Sequence, residues 1–319
     1  MKILCFIQTL NGKANNNSLE SLCAAQKISN NNSAEVHAVV FDKNVSEQLK
    51  DYNLNSVIYI NNPELENYNP EYYLKSLELL NNELTPDLLI FGHSYETRDW
   101  VPRLSARLDK AFVSDCVSVQ FNSDLHFIRP IYQAKLNEKI KLNNQGIVSF
   151  QAGSYSTKDI TEGSCNVDEK SLDLSNMELR INPGERFKES AEGVDLSNAE
   201  VIVSIGRGIG KIENIALVKS LAEKLNAQIG ASRPVVDAGW LDHSYQIGSS
   251  GQTVSPKLYL AVGISGAIQH LAGINASKVK VVINTDPEAP FFKAANYGIV
   301  GDAFTLVPKL ISAIKIHNN

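Results

Sequence analysis

The chain of 319 residues is 43% hydrophobic and 20% charged, a composition typical of globular proteins rather than of disordered or fibrous ones. Its length is sufficient for two ordinary domains of about 100–200 residues each. The net charge of −5 disfavours a nucleic acid partner, because phosphate binding requires clustered Lys and Arg side chains.

The first half of the chain alternates strand-like and helix-like segments. The predicted strands are residues 2–8, 35–41, 56–60 and 87–91, and the predicted helices are residues 18–28, 71–84 and 98–108. Apolar strands separated by amphipathic helices indicate a mainly parallel sheet that is covered on both faces. We therefore expect an N-terminal α/β domain with a mainly parallel sheet, of the nucleotide-binding α/β-hydrolase-like type.

The pattern changes after Cys116, where the strand-like segments become longer. These segments are residues 117–121, 125–134, 146–149 and 166–180. We expect them to extend the sheet, in part with antiparallel strands. The following stretch, residues 182–197, is polar and contains Pro183, Gly184 and Gly193, which favours a linker. The predicted domains are therefore residues 1–190 and 197–319.

A second α/β pattern occupies the last third of the chain. Predicted strands cover residues 201–205, 258–262 and 279–284, and predicted helices cover residues 213–225, 267–272 and 303–316. This alternation predicts a C-terminal doubly wound sheet, large enough for one nucleotide-type ligand.

The N-terminal segment, the hydropathy pattern and the cysteines do not suggest export, membrane insertion or metal binding. The apolar run at residues 2–8 is too short for a secretory signal, and no stretch approaches the roughly 18 apolar residues that a membrane span needs. The four cysteines (Cys5, Cys23, Cys116 and Cys165) lack C-x-x-C spacing and are expected to be buried free thiols. We expect a soluble, cytoplasmic protein without membrane insertion and without a metal site.

Glycines and polar residues follow five successive strand ends in the C-terminal part. They are Gly206-Arg-Gly-Ile-Gly210, Gly230-Ala-Ser-Arg-Pro234, Gly263-Ile-Ser-Gly-Ala-Ile-Gln-His270, Asn284 and Asp302. In an open parallel sheet, ligands bind at the carboxyl ends of the strands. The sequence therefore predicts a ligand site there, with Ser265 as the N-cap of the helix that carries Gln269 and His270.

Each of these features also has a purely structural interpretation. The glycine-rich turn at residues 206–210 does not fit the G-x-G-x-x-G dinucleotide fingerprint, and could be only a tight connection between a strand and a helix. His270 could be an ordinary, partly buried histidine, and Asp302 could be only a helix N-cap. The concentration of such residues at five strand ends is what favours a ligand.

The same segments resemble the electron transfer flavoprotein α-subunit family. The resemblance lies mainly in residues 258–274 (Leu-Tyr-Leu-Ala-Val-Gly-Ile-Ser-Gly-Ala-Ile-Gln-His-Leu-Ala-Gly-Ile) and residues 281–284 (Val-Val-Ile-Asn). It also includes residues 206–208, 230–233, 236–240, 286–292 and 297–302, and more loosely residues 98–108, 114–115 and 129–132. The resemblance implies an electron carrier with FAD across its C-terminal domain, in a heterodimer with a β subunit.

The resemblance also implies contacts between particular residues and FAD. The implied cofactor-binding residues are Arg207, Ser232, Arg233, Ile247, Gly248, Ser249, Ser250, Ser265, Gly266, Ala267, Ile268, Gln269, His270, Asn284, Asp302 and Ala303. Amides and hydroxyls suit phosphate oxygens, and a carboxylate or an amide suits ribose and adenine. In the turn at residues 246–254 the hydroxyl near the flavin edge could come from Ser250 or Thr253, and the spacing from Gly248 favours Ser250.

Arg233 and His270 match family positions beside the flavin ring. Reduction places negative charge on the N1–O2 edge of the flavin, and a cation beside that edge stabilises the charge, by about 4 kcal/mol at ~4 Å with an effective dielectric constant near 20. Both residues are therefore expected to tune the cofactor, while the electron chemistry itself belongs to the flavin.

The implied partners are flavoprotein dehydrogenases, such as those of fatty acid β-oxidation, and an electron acceptor such as a quinone oxidoreductase. The N-terminal domain is the implied docking scaffold for the β subunit, and no catalytic residues are expected.

The alternative to an electron carrier is an enzyme or sensor that binds ATP or another nucleotide through its N-terminal domain. That alternative requires a glycine-rich phosphate loop after the first strand, whereas residues 10–17 contain a single glycine. A third interpretation, an assembly protein with a degenerate site, is disfavoured by the intact Arg, Ser, His, Asn and Asp set.

Overall fold

The computed structural model describes residues 1–121, 124–132, 135–143, 145–175, 177–184, 194, 196 and 199–314. The chain divides into two compact units, Met1–Arg186 and Phe187–Asn319. Most of the predicted linker (residues 185–193, 195 and 197–198) lies outside the described residues.

The first unit is built around a parallel sheet. Its strands are β1 Lys2–Phe6, β2 Thr9–Leu10, β3 Lys13–Ala14, β4 Glu35–Val40, β5 Ser56–Ile60, β6 Leu88–Gly92, β7 Phe112–Cys116, β8 Ser118–Phe121, β9 Leu125–Ile131, β10 Leu136–Lys141, β11 Gly146–Phe150 and β12 Asn166–Lys170. Its helices are α1 Asn16–Asn32, α2 Lys43–Gln48, α3 Pro70–Leu84 and α4 Tyr95–Leu108. Among the described residues, seven strands pair in the order β12-β5-β4-β1-β6-β11-β7, with every pairing parallel.

Alternating residues of β1 enter the cores on the two faces of this sheet. Ile3 and Cys5 pack in the core that contains α1 residues, whereas Leu4 and Phe6 pack with residues of α3 and α4, including the fully buried Trp100. A strand buried on both faces reads as a continuous apolar run, which is why the sequence located β1 correctly.

The predicted extension of the sheet is only partly correct. The antiparallel strands β8, β9 and β10 form a separate three-stranded sheet, while β11, β7 and β12 join the main sheet in parallel. The predicted strand at residues 166–180 ends at Lys170, because an Asp173 carboxylate oxygen accepts hydrogen bonds from the backbone N–H and the hydroxyl of Ser175 and closes a turn. β7 and β10 were not predicted. Ser114 and Asp115 interrupt the apolar pattern of β7, and β10 is exposed at almost every position.

A short hairpin follows β1 at the place where a phosphate loop would lie. β2 pairs with β3 through a turn in which Asn11 and Gly12 have φ values of 52° and 70°. Helix α1 then starts from Asn15, whose side chain caps the backbone N–H of Asn17 at 2.9 Å.

The second unit is a five-stranded, fully parallel sheet with helices between its strands. The strands are β13 Val201–Ile205, β14 Gln228–Ala231, β15 Leu258–Val262, β16 Val279–Asn284 and β17 Tyr297–Val300. The helices are α5 Ile215–Lys224, α6 Arg233–Asp237, α7 Ile268–Ala272, α8 Phe291–Ala294 and α9 Ala303–Ala313. The strand order is β14-β13-β15-β16-β17, which confirms the doubly wound α/β arrangement predicted for this part of the chain.

All four cysteines are free. Cys5, Cys23 and Cys116 are buried as predicted, whereas Cys165 is half-buried. Burial raises the pKa of all four thiols, which keeps them protonated and unreactive. Within the described residues, no helix combines the length and apolar character that crossing a bilayer requires.

Candidate functional site

The strand order of the second unit fixes where a ligand can bind. The first strand, β13, has the second strand, β14, on one side and the third strand, β15, on the other. The chain therefore leaves β13 and β15 in opposite directions, which opens a crevice between their carboxyl ends. In doubly wound sheets with this order, ligands occupy that crevice.

At the crevice, the backbones after β13 and β15 are in direct contact. Gly208 donates its N–H to the Gly263 carbonyl at 3.0 Å, and Gly206 donates its N–H to the Val262 carbonyl at 2.8 Å. A Cβ atom on Gly206 would lie 2.0 Å from the Gly263 carbonyl oxygen. The close approach of these two backbone segments therefore requires glycine at position 206. From the sequence alone, Gly206 could be interpreted only as part of a tight turn.

A cavity of about 730 Å³ opens at these strand ends. It is lined by Arg207, Gly208, Ser232, Arg233, Pro234, Asp237, Ile247, Gly248, Ser249, Ser250, Gly263, Ile264, Ser265, Ala267, Gln269, His270, Asn284 and Asp286. Its volume lies within the range of about 300–1,000 Å³ that is usual for ligand and cofactor sites.

Twelve of the sixteen residues that the sequence singled out line this cavity. The four that do not are Gly266, Ile268, Asp302 and Ala303. Asp302 caps helix α9 by accepting from the backbone N–H of Phe304 at 3.2 Å, which is the structural role considered for it, and Ala303 is the first residue of that helix. Gly266 has a φ of 89°, and a Cβ there would meet the Phe291 backbone nitrogen at 2.4 Å, so it allows the loop after β15 to close on α8.

The predicted role of Ser265 as a helix N-cap is wrong. Helix α7 starts one residue after Ala267, which occupies the cap position without a side-chain hydrogen bond. The Ser265 carbonyl instead accepts from the backbone N–H of Phe291 at 3.0 Å, and the residue is exposed at the cavity wall. The hydroxyl is therefore available to a ligand rather than used by the helix.

The turn that contains Ser250 is shaped by a buried glutamine. Gln246 is 3% exposed, and its Nε2 donates to the Ser250 carbonyl at 3.0 Å and to the Ser250 Oγ at 3.1 Å. Ser250 lines the cavity, and Thr253 is not among the lining residues. Of the two hydroxyls that the sequence left open, only Ser250 is therefore placed at the cavity.

Asn284 ties together the two loops on either side of its strand end. Its Nδ2 donates to the Ile264 carbonyl at 3.0 Å, and its Oδ1 accepts from the backbone N–H of Asp286 at 3.0 Å. Asn284 thereby holds the cavity wall in position, and one N–H and one lone pair of its amide remain for a ligand.

Two arginines supply the positive charge of the site. Arg233 is the first residue of α6, and its Nε lies 3.3 Å from the Oδ2 of Asp237, one helical turn later. Both side chains are more than half exposed, so this ion pair contributes little to stability. Arg207 makes no ion pair with any described residue and also lines the cavity.

His270 differs from the cation that the sequence suggested. It is 5% exposed, and its Nε2 lies 2.8 Å from the hydroxyl of the fully buried Tyr259. Burial lowers the pKa of His270 to about 4, and the backbone carbonyl of Ile247 offsets only a part of that shift. The ring is therefore neutral at pH 7. Nδ1 is buried and has no hydrogen-bond partner in the described chain.

Comparisons with known proteins match nearly the whole chain. The family described as "Electron transfer flavoprotein domain" matches residues 3–175, and "Electron transfer flavoprotein FAD-binding domain" matches residues 195–275. The electron transfer flavoprotein subunit alpha of Bacillus subtilis (strain 168) is 37% identical over 318 residues, which cover 98% of this chain and 97% of that protein. The subunit of the same name from Thermoanaerobacterium thermosaccharolyticum is 37% identical over 322 residues, which cover 98% and 97%.

The chain belongs to the electron transfer flavoprotein α-subunit family. The resemblance seen in the sequence is thereby confirmed, and the nucleotide-binding enzyme or sensor is not favoured. As a member of this family the chain is an electron carrier, and its cofactor is FAD. Another relative, named acryloyl-CoA reductase electron transfer subunit beta in Anaerotignum propionicum, is 31% identical over 353 residues, which cover 99% of this chain and 96% of that protein.

The residues at the cavity suit the cofactor of this flavoprotein family. Two guanidinium groups and several exposed hydroxyls match a pyrophosphate and a ribityl chain, and the apolar side chains of Ile247, Ile264 and Pro234 match an aromatic ring system. The unpartnered Nδ1 of His270 also needs a polar partner that the described chain does not provide.

Sequence reasoning missed six of the lining residues. They are Gly208, Pro234, Asp237, Gly263, Ile264 and Asp286. All six lie inside or directly after segments that carried the flavoprotein family resemblance, and Gly208, Pro234, Gly263 and Ile264 also belong to the glycine-rich and polar segments at the strand ends. Asp237 reaches the cavity because it lies one helical turn after Arg233 on α6.

Proposed function

We propose that this chain carries electrons by holding FAD in the cavity at the carboxyl ends of β13–β16. The observation that carries the proposal is the convergence on this one cavity of twelve residues that the sequence assigned to FAD. Bound FAD supplies the electron chemistry, since a flavin accepts and releases one or two electrons. The protein binds, orients and electrostatically tunes it.

In this proposal the cofactor-binding residues divide into three groups by chemistry. Arg207, Ser232 and Ser265 supply a guanidinium and hydroxyls for the pyrophosphate and adenosine portions. The turn with Gly248 and Ser250 supplies the backbone N–H and the hydroxyl of Ser250 for the ribityl chain and the flavin edge, since the N–H groups of Gly248 and Ser249 already donate within the protein. Asn284, Gln246 and the contacting glycines fix the loops that present these groups.

In this proposal the positive charge and the hydrogen bond beside the flavin ring come from two different residues. Arg233 is the permanent cation and favours negative charge on the flavin after reduction. His270 is neutral, so it contributes a hydrogen bond rather than a charge. The Asp237 carboxylate, 3.3 Å from the Arg233 Nε, weakens the field of the guanidinium.

We also infer that the chain is a carrier that does not itself convert a substrate. A nucleophilic enzyme site would pair a serine hydroxyl with an activating base. Among the described residues that line the cavity, the only imidazole is that of His270, and its side-chain partner is Tyr259 rather than a serine. The relative named as a reductase electron transfer subunit fits this division of labour, because its name assigns it electron transfer within a reductase.

We propose three kinds of partner: a β subunit, flavoprotein dehydrogenases, and an electron acceptor such as a quinone oxidoreductase. The β subunit would dock on the N-terminal unit and form a heterodimer with this chain. Support for an acyl-CoA oxidoreductase as one such partner comes from the name of the acryloyl-CoA reductase subunit.

Co-expression of the full chain with a candidate β subunit tests the proposal. The expected product is a yellow heterodimer with flavin absorption bands near about 375 and 450 nm, which bleach when a dehydrogenase and its substrate are added. A colourless, monomeric protein that binds ATP would contradict the proposal and favour nucleotide binding by the N-terminal unit.

A further inference from the structure

Tyr259 and His270 form a buried polar pair behind the cavity. Tyr259 is fully buried on β15, and its hydroxyl oxygen lies 2.8 Å from the Nε2 of His270 on α7. Both rings pack against the fully buried Phe291, which is stacked on Tyr259 at a centroid distance of 6.4 Å. The two rings are therefore held in one arrangement by packing.

The hydroxyl proton of Tyr259 needs an acceptor. Burial raises the pKa of Tyr259, so the hydroxyl stays protonated at all ordinary pH values. A buried hydroxyl that fails to donate a hydrogen bond destabilises the folded state. The Nε2 of His270 is within hydrogen-bond distance of this hydroxyl. The Ser204 hydroxyl acts on the Tyr259 oxygen as a donor, which lowers the pKa of the phenol, but its Oγ is not in hydrogen-bonding geometry with any described residue, so the imidazole nitrogen is the acceptor.

Donation from Tyr259 determines which nitrogen of His270 carries the proton. A neutral imidazole has one N–H and one bare nitrogen. If Nε2 accepts from the tyrosine, the proton of His270 is on Nδ1. The backbone carbonyl of Ile247 also acts on this ring, as an acceptor that favours a ring N–H, but it is not in hydrogen-bonding geometry with Nδ1.

We propose that Tyr259 is a positioning residue that holds His270 in the tautomer protonated on Nδ1, so that this N–H can donate to an oxygen of bound FAD. The inference rests on the proposed function, because it requires FAD in the cavity that His270 lines. It explains why a tyrosine hydroxyl and an imidazole, both costly to bury, occur together behind the cavity.

The test is the tautomer of His270, read directly by two-bond ¹H–¹⁵N NMR of the FAD-loaded complex with ¹⁵N-labelled histidine. The chain has six histidines, and His270→Gln identifies the signal by its loss. The expected wild-type pattern is a protonated Nδ1 and a bare Nε2. Tyr259→Phe should abolish the preference for this tautomer, lower the reduction potential of bound FAD and raise its dissociation constant about fivefold, as the loss of one net hydrogen bond predicts.

Ser204→Ala is the matched control, because it removes the buried hydroxyl that also acts on Tyr259 while both partners of the contact between Tyr259 and His270 stay in place. It should leave the tautomer unchanged. A wild-type His270 protonated on Nε2 would overturn the inference even if Tyr259→Phe failed to fold. So would a Tyr259→Phe complex with the wild-type tautomer and potential. A Nδ1–H signal that is the same with and without FAD would instead overturn the placement of FAD beside His270, and would leave the tautomer assignment standing.

Discussion

Gly206→Ala is the substitution that most directly tests how the cavity is built. The φ of Gly206 is −105°, which any residue can adopt, so an alanine there meets no backbone strain. Its Cβ, however, would lie 2.0 Å from the Gly263 carbonyl oxygen and 2.4 Å from the carbonyl carbon. Any loss of stability or of FAD affinity in this variant must therefore come from forcing apart the two loops at the crevice.

The size of the effect follows from that contact. Non-bonded carbon and oxygen atoms require about 3 Å or more, so one of the two backbones must move by about 1 Å. That movement strains the hydrogen bonds that Gly206 and Gly208 donate across the crevice, at 2.8 and 3.0 Å. Overpacking typically costs about 1–3 kcal/mol, and each strained hydrogen bond about 1 kcal/mol. We expect a loss of about 3–5 kcal/mol, shared between FAD affinity and the stability of the second unit.

The assay is FAD release, followed by flavin fluorescence, together with thermal unfolding of the complex. Gly210→Ala is the matched control. Gly210 has a φ of 82°, and nothing lies nearer to its added Cβ than the Asn214 Nδ2 at 4.0 Å. With a ψ of −47°, Gly210 lies outside the αL region, so Gly210→Ala should cost about 1–3 kcal/mol of backbone strain without displacing the loops at the crevice. The reasoning is refuted if Gly206→Ala retains FAD and melts no lower than Gly210→Ala.

Three further predictions concern charge, hydrogen bonding and pH. Arg233→Gln should lower the reduction potential of bound FAD, and Asp237→Asn should raise it, each by about 40 mV per electron. The reason is that each of these exposed charges contributes on the order of 1 kcal/mol after solvent screening. A redox titration in which both substitutions shift the potential in the same direction would contradict this. Ser250→Ala should weaken FAD binding several-fold in equilibrium titrations while Thr253→Ala should not, and the reverse order would assign the contact to Thr253. Burial raises the pKa of Glu20 to about 7, above its unfolded value, so the folded state retains a proton that the unfolded state loses and stability falls as pH rises from about 5 to 7. Glu20→Gln should remove this fall in stability with pH. In urea unfolding it should be more stable than the wild type by on the order of 2 kcal/mol at pH 8 and equally stable at pH 4. If the two proteins lose stability equally between these pH values, the assignment to Glu20 is contradicted.

The sequence located the site better than it located the contacts within it. Strands that are buried on both faces, such as β13 and β15, read as continuous apolar runs, and their predicted bounds are correct to the residue. The rule that ligands bind at the carboxyl ends of parallel strands then located most of the residues that line the cavity. Exposed or interrupted strands carry no such signal, which is why β7 and β10 were missed.

Side-chain roles were harder to predict because they depend on the partner that the fold supplies. Ser265 has the residue type of an N-cap, but helix α7 starts too late for it to serve as one. His270 was expected to be a cation, and only the structure reveals the burial that keeps it neutral and the Tyr259 hydroxyl at its Nε2. The helix cap at Asp302 was foreseen as one of two alternatives, whereas the role of Asn284 as a clamp between loops was not.

The walls of the cavity come from segments that are far apart in the chain, from Arg207 to Asp286. The complete site therefore cannot form before β13, β14, β15 and β16 have paired, and long-range parallel pairing is a slow step of folding. FAD binds only that closed state, and at a hundred times its dissociation constant it stabilises the state by about 2.7 kcal/mol. Flavin supply in the cell would thus determine how much of the newly made chain survives proteolysis, as well as how much of it can carry electrons.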